Sequence, residues 1–281
     1  MEPKHPEFVP DPTDSRERME ELQREIAEQA IFVDDLEFDP RSVSLRADES
    51  LFGGDIDRGS EAGEVGKADE SGRSSEPDAE DRPLVAGVDQ AFLDDRAVSA
   101  IVCMRGDEVV ERAHAVTPLS FPYVPGLLSF REGGPILAAF AELERAPDLV
   151  LFDGSGRIHF REAGLATHMG LALDVPAIGV AKSLLCGIAA EDLDDREECA
   201  NIAIEANDEV SAPSGTVIGY AVQTKQFAGS RYVNPVYTSP GHRLSAETAT
   251  DLVLALCAGY KLPEPTRRAD AYADEVKGQV E

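Results

Sequence analysis

The 281-residue sequence has no tryptophan, only four cysteines and only six lysines. Cys103, Cys186, Cys199 and Cys257 show no C-x-x-C spacing and stand mostly among apolar residues. That pattern argues against a disulfide framework or a zinc site and leaves structural thiols. No apolar run reaches the roughly 18 residues of a membrane span. Met1 to Pro10 is charged and proline-bearing where a signal peptide would be apolar, so the chain reads as soluble and cytoplasmic.

Positive charge is scarce overall: 26 Lys and Arg face 54 Asp and Glu, for a net charge of -28. Such a balance ordinarily argues against a nucleic-acid partner, because phosphate binding draws on Lys and Arg. The excess is localised, however. Residues 1–83 hold 25 acids and 10 bases, and residues 191–214 hold 9 acids and 1 base, so the remainder is nearly neutral. An acidic, lysine-poor surface without tryptophan fits a protein kept soluble in the molar salt of a halophile's cytoplasm. At that ionic strength the screening length is about 3 Å, and an acidic surface no longer excludes DNA or RNA.

Residues 13–31 carry helical spacing, with Met19, Leu22, Ile26 and Ala30 three and four apart and Thr13 or Asp14 as cap. Residues 1–45 are therefore an acidic segment whose helix packs on the core. Residues 46–83, rich in Gly, Ser, Asp and Glu without apolar periodicity, read as a disordered insertion. The compact domain spans 84–262. It begins with three strand-like runs, 84–92, 97–104 and 109–116, forming an antiparallel meander. A helix at 132–145, a strand at 149–152, a helix at 163–171 and a strand at 177–180 follow. This order predicts an α/β fold with a mixed sheet and helices on its faces. Residues 191–214 read as a polar excursion, 217–222 and 233–238 as closing strands, 245–259 as an amphipathic helix, and 263–281 as a polar tail.

Several residues could carry chemistry. Asp89 interrupts an apolar strand, where it is either an exposed-face acid or a compensated buried one. Asp153 ends the strand 149–152 before a Gly turn, at the edge where α/β sheets build sites, or is a turn residue. Glu132 opens a helix and could be a structural N-terminal acid. Three acids from separate elements could converge on Mg2+ and a phosphate. His242 lies in a tight turn, and Lys182 ends a strand in a chain that has few lysines. His159 and His168 follow Asp153, and His168 reads as a packed residue. Pro122-Tyr123-Val124-Pro125 is a stiff loop that either projects Tyr123 as a wedge or holds it in the core.

In this order these residues resemble the endonuclease V family of the ribonuclease H-like fold. The matching segments are 85–92, 122–132, 153–170 (DGSGRIHFREAGLATHMG), 178–187 (IGVAKSLLCG), 218–222 and 239–249 (SPGHRLSAETA). The resemblance implies metal-binding acids at Asp89, Glu132 and Asp153, a fourth active-site residue at His242 and a catalytic lysine at Lys182. It implies a strand-separating wedge at Pro122, Tyr123, Val124 and Pro125, with Val124 where the family usually carries Ile. A base pocket would form from Gly126, Leu128, Gly154 and Leu165, with His159 as a further substrate contact. Phe160 stands where the family commonly has Pro, and the two acidic segments are longer than typical. The implied activity is Mg2+-dependent hydrolysis, with Mn2+ substituting, of the second phosphodiester bond 3' to deoxyinosine in DNA, leaving a 3'-hydroxyl and a 5'-phosphate. The protein would act as a monomer, without a membrane partner. Inosine-containing RNA or single strands, another ribonuclease H-like nuclease, and a non-catalytic nucleic-acid-binding module are the alternatives.

Overall fold

The computed structural model describes residues 1–45, 82–226 and 233–280. The expected insertion at 46–83 thus falls almost wholly outside the described residues. Helix α1 (Arg16–Gln29) buries Met19, Leu22 and Ile26 as its periodicity requires. Its cap is Ser15, whose side chain accepts from the Arg18 N–H. Thr13 is not free to serve, because its N–H and hydroxyl both donate to Asp11.

Strands β1 (Val85–Phe92), β2 (Arg96–Arg105) and β3 (Glu108–Pro118) form the expected meander. Helix α2 (Leu128–Ala141) begins four residues before Glu132, so Glu132 sits in its second turn. Gly126, at φ +79, turns the chain out of the Pro-rich loop and lets the helix start early, with Pro135 inside it. Then come β4 (Leu149–Asp153), α3 (Leu165–Leu173), β5 (Ala177–Ala181), β6 (Ile188–Ala189), β7 (Asn201–Glu205), β8 (Val217–Val222), β9 (Val236–His242), α4 (Ala246–Ala255) and α5 (Glu264–Val280). Among the described residues no helix is long and apolar enough to cross a membrane.

The nine strands of the described residues join one sheet in the order β3-β2-β1-β4-β5-β9-β8-β7-β6. β1, β4 and β5 are mutually parallel and the other pairings antiparallel, so the sheet is mixed as expected. Alternate residues of each strand serve opposite faces. Ala86, Val88, Val150 and Phe152 meet α2 and α3 through Ile136, Phe140 and Met169. Val85, Leu149, Leu151 and Ile178 meet α4 through Leu252 and Val253. On that same second face α5 lies across β1 and β2, burying Ala269, Ala273 and Val276.

Two expectations change. The polar tail at 263–281 is the 17-residue helix α5, packed on the sheet. Its apolar face is built from alanines and one valine, too faint a stripe to stand out among charges. The acidic excursion at 191–214 contains β7, where Ile202 and Ile204 point inward and Asn201, Ala203 and Glu205 alternate outward.

Candidate active site

Val88 and Phe152 are paired in the parallel β1–β4 register, which sets the following residues, Asp89 and Asp153, side by side on the α5 face. Helix α5 approaches that face very closely at Gly87. A Cβ there would lie 2.1 Å from the carbonyl carbon of Pro265, so no larger residue fits. The close crossing delivers Asp270, which the sequence reading had not singled out, to within hydrogen-bond reach of Asp89. Glu132 arrives from α2 over the sheet's edge and accepts from the Gln90 amide at 3.2 Å. Lys182, just past β5, donates to Asp153 Oδ2 at 2.8 Å and stands 3.9 Å from Asp270.

Asp89, Glu132, Asp153 and Lys182 line a cleft of about 250 Å³. Asp89 and Glu132 are each only 8% exposed. Burial first, then the Asp153 charge and hydrogen bonds with the Asp153 and Asp270 carboxyls, push the Asp89 pKa up to about 9. Burial likewise pushes Glu132 up to about 8, against the neighbouring Arg131 and with help from Asp153. Burial opposes the charge on Lys182, yet Asp153, Asp89 and Asp270 outweigh it and raise its pKa.

His242 does not belong to this cluster. It closes β9 opposite Ala177, at the start of β5, whereas Asp153 lies opposite Val180 near that strand's end. The separation along the strand is roughly 10 Å. The side chain is buried with its Cβ against Gly170 of α3; the ring Nδ1 accepts from the Ile31 N–H at 3.3 Å and Nε2 lies 3.6 Å from Asp174. Burial lowers its pKa despite the Asp174 carboxylate. Its place is structural, fastening the segment after α1 to the sheet. Asp270 occupies the position in the acidic cluster that the sequence reading gave to His242. Its signal lay in the run 263–276, where two prolines and a Glu open a helix whose Ala269, Ala273 and Val276 recur at spacings of four and three.

A second cavity of about 140 Å³ adjoins the acidic cleft and shares Tyr123, Leu128, Gly154, Leu165 and Ala181 as walls. Its lining also includes Gly126 and His159, so all four expected pocket residues border it. Tyr123 is 66% exposed between two prolines, which settles its position as projecting rather than core. Val124 and Phe121 anchor the loop on Met19 and Phe130, and Arg131 donates to the Phe121 carbonyl at 2.9 Å. His159 is buried, its pKa lowered by burial to about 4, and its Nε2 donates to the Gly126 carbonyl at 3.0 Å. His168 is packed as expected, bonded to Ser129 and the Phe8 carbonyl.

The sequence matches the family described as Endonuclease V over residues 69–271. The chain belongs to the endonuclease V family. Endonuclease V from Haloarcula marismortui is 55% identical over 284 residues, covering 100% of this chain and 99% of that protein. The crystal structure of endonuclease V from Streptomyces avermitilis is 29% identical, with a TM-score of 0.70, and covers 100% of this chain and 99% of that one. That of Ciona intestinalis endonuclease V, in complex with a 24mer DNA containing an inosine followed by a ribo-adenosine, is 25% identical with a TM-score of 0.57, covering 71% and 87%. The likeness to endonuclease V structures carries the ribonuclease H-like architecture expected from the sequence.

Whether the cluster suits a cation depends on its donors. Among the described residues no three His, Cys, Asp or Glu side chains stand ready-grouped for a metal ion. Lys182 holds Asp153, Gln90 holds Glu132, and Asp89 is bonded to neighbouring carboxyls. The donor chemistry nonetheless fits a hard divalent ion, since Asp89, Glu132, Asp153 and Asp270 offer oxygen alone. Four crowded acids, two with pKa values driven far up, are what a nearby double positive charge would relieve.

Proposed function

We propose that this endonuclease V recognises deoxyinosine in DNA and hydrolyses the second phosphodiester bond on its 3' side, leaving a 3'-hydroxyl and a 5'-phosphate. The observation that carries this reading is the shared wall between the acidic cleft and the small cavity, with Tyr123 at their common mouth. One compartment suits phosphate chemistry and the other an extruded base, and the Ciona relative holds inosine-containing DNA. Asp89, Glu132, Asp153 and Asp270 would hold Mg2+, or Mn2+ in its place. When bound, the ion supplies charge to the scissile phosphate and lowers the pKa of an attacking water.

The chain's own groups divide the remaining work. Lys182 sets a positive charge beside Asp153, where it offsets charge developing on the phosphate. Tyr123 fills the gap left in the base stack when the lesion leaves it. A deaminated adenine pairs weakly, so extruding it costs less than extruding a paired normal base. Helices α2 and α3 both begin at the cavity without a side-chain cap. The N–H groups of their first residues, Leu128 and Leu165, therefore lack partners within the helix and suit an acceptor oxygen. Hypoxanthine presents an oxygen at its six position, whereas adenine presents an amino donor, which the same groups reject.

We further propose that it works as a monomer in the cytoplasm. Matched inosine- and adenine-containing DNA and RNA duplexes, with and without Mg2+ in molar KCl, test the reading. Cation-dependent nicking of inosine DNA alone is expected. Equal cutting of adenine duplexes, or cutting without a divalent cation, would overturn it, and a preference for inosine RNA would reassign the substrate.

A further inference from the structure

We infer that Gln23, on the N-terminal helix α1, is a positioning residue that sets the width of the base cavity by tying together the approaches to helices α2 and α3. The inference rests on the base-pocket reading above and goes beyond it to a residue that touches neither metal nor phosphate.

Gln23 is 1% exposed, and a buried amide must place its donors and acceptor. Its Nε2 donates to the Gly126 carbonyl at 2.9 Å and makes a longer contact with the Ala163 carbonyl at 3.5 Å. Its Oε1 accepts from Arg161 Nη1 at 3.1 Å. Arginine only donates, so the orientation of the amide is fixed: oxygen toward Arg161, nitrogen toward the two carbonyls. Arg161 is held in turn by Glu20, whose Oε1 lies 2.7 Å from Nη2, one turn before Gln23 on α1.

The two carbonyls have a particular importance. Gly126 and Ala163 each lie two residues before the first residue of a helix, Leu128 of α2 and Leu165 of α3. Those are the two helix ends whose N–H groups border the cavity. His159 donates to the same Gly126 oxygen at 3.0 Å. Its Nδ1 accepts from the Arg161 N–H, which leaves the ring proton on Nε2. Two donors saturate the Gly126 carbonyl, and the N–H of the same peptide unit, on Leu127, donates to Val124 O at 3.0 Å. Both polar groups of the Gly126–Leu127 peptide unit, between the Tyr123 loop and α2, are thereby bonded. A segment over a hundred residues upstream thus supplies one side of the clamp.

The test uses the full-length protein with inosine- and adenine-containing duplexes in molar KCl and Mg2+. Gln23→Met keeps the side chain's length but removes both donors; Gln23→Glu keeps a partner for Arg161 and turns an acceptor toward the carbonyls. Each lost bond leaves a buried carbonyl undersatisfied, so KM for the inosine duplex should rise about tenfold while kcat changes less than about twofold. The inosine-over-adenine preference should fall by a similar factor, with Gln23→Glu the more severe. Melting temperatures identify folded variants. Should Gln23→Met not fold, Gln23→Glu carries the comparison, and failure of both to fold would overturn the positioning role in favour of a core residue. Folded variants with wild-type KM and preference would overturn it too. A wild-type protein that shows no inosine preference would instead remove the underlying reading.

Discussion

Lys182 Nζ lies 2.8 Å from Asp153 Oδ2 and 3.9 Å from Asp270 Oδ1, so one ammonium links acids from β4 and α5 across the cleft. Lys182→Met removes that link. Single-turnover cleavage of an inosine duplex should slow by roughly a hundredfold. An unchanged rate would mean that Lys182 only balances charge in the resting protein.

Asp270→Ala and His242→Ala should fail in opposite ways. The first should lower cleavage by roughly a hundredfold or more with little loss of melting temperature, because the acid sits among like charges. The second should destabilise the fold by about 2 kcal/mol, since it cuts the tie to Ile31 and empties a buried position. Cleavage measured where His242→Ala is still folded should remain. The reverse pattern would return His242 to the active site.

Stability of the metal-free protein should depend on pH through the buried acids. Asp89 and Glu132 have folded pKa values near 9 and 8, above their ordinary 3.8 and 4.5. The folded state therefore holds protons that the unfolded state has released. Stability is greatest below the unfolded values and is lost as pH rises through the folded ones, by up to roughly 1.4 kcal/mol per unit for each group. His159 and His168, both depressed to about 4, act oppositely but only below about pH 6.5. Thermal melts from pH 6.5 to 9 should thus decline without Mg2+, decline less with it, and flatten in Asp89→Asn. A flat wild-type profile would contradict the assigned burial.

Tyr123→Ala should leave stability within about 0.5 kcal/mol, as expected for an exposed side chain. KM should rise on duplex more than on single-stranded inosine substrates, where no stack needs opening. Equal effects on both would make Tyr123 a general contact and not a wedge.

Melting temperature should increase with KCl into the molar range, because the acidic surface repels itself at low ionic strength. A melting series in which salt gives no benefit would remove the halophilic reading of the composition.

The central strands were legible because their apolar runs are dense and their turns carry Asp and Gly. Asp89, Asp153 and Lys182 were legible for the same reason, being polar residues at interruptions or ends of apolar strands. Asp270 was not. It lies on a helix whose buried face is mainly alanine, and its approach depends on the missing side chain of Gly87, a contact between positions far apart in the chain. His242 was placed in the site by the resemblance of its SPGHRLS segment, whereas the β5–β9 register sends it to the other end of the strand from Asp153. Strand β7 was hidden by its shortness and by the acids in the segments flanking it, and Gln23 by the absence of any local sign that a helical amide reaches a loop a hundred residues away.

The close crossing of α5 over Gly87 also bears on how the site is completed. Asp89 lies on β1, which pairs with its sequence neighbour β2, whereas Asp270 reaches it only with α5 docked across β1 and β2. An incompletely folded chain therefore has no complete acidic cluster. The helix that completes this face of the core also completes the acidic cluster, so core packing and site geometry depend on the same contact at Gly87.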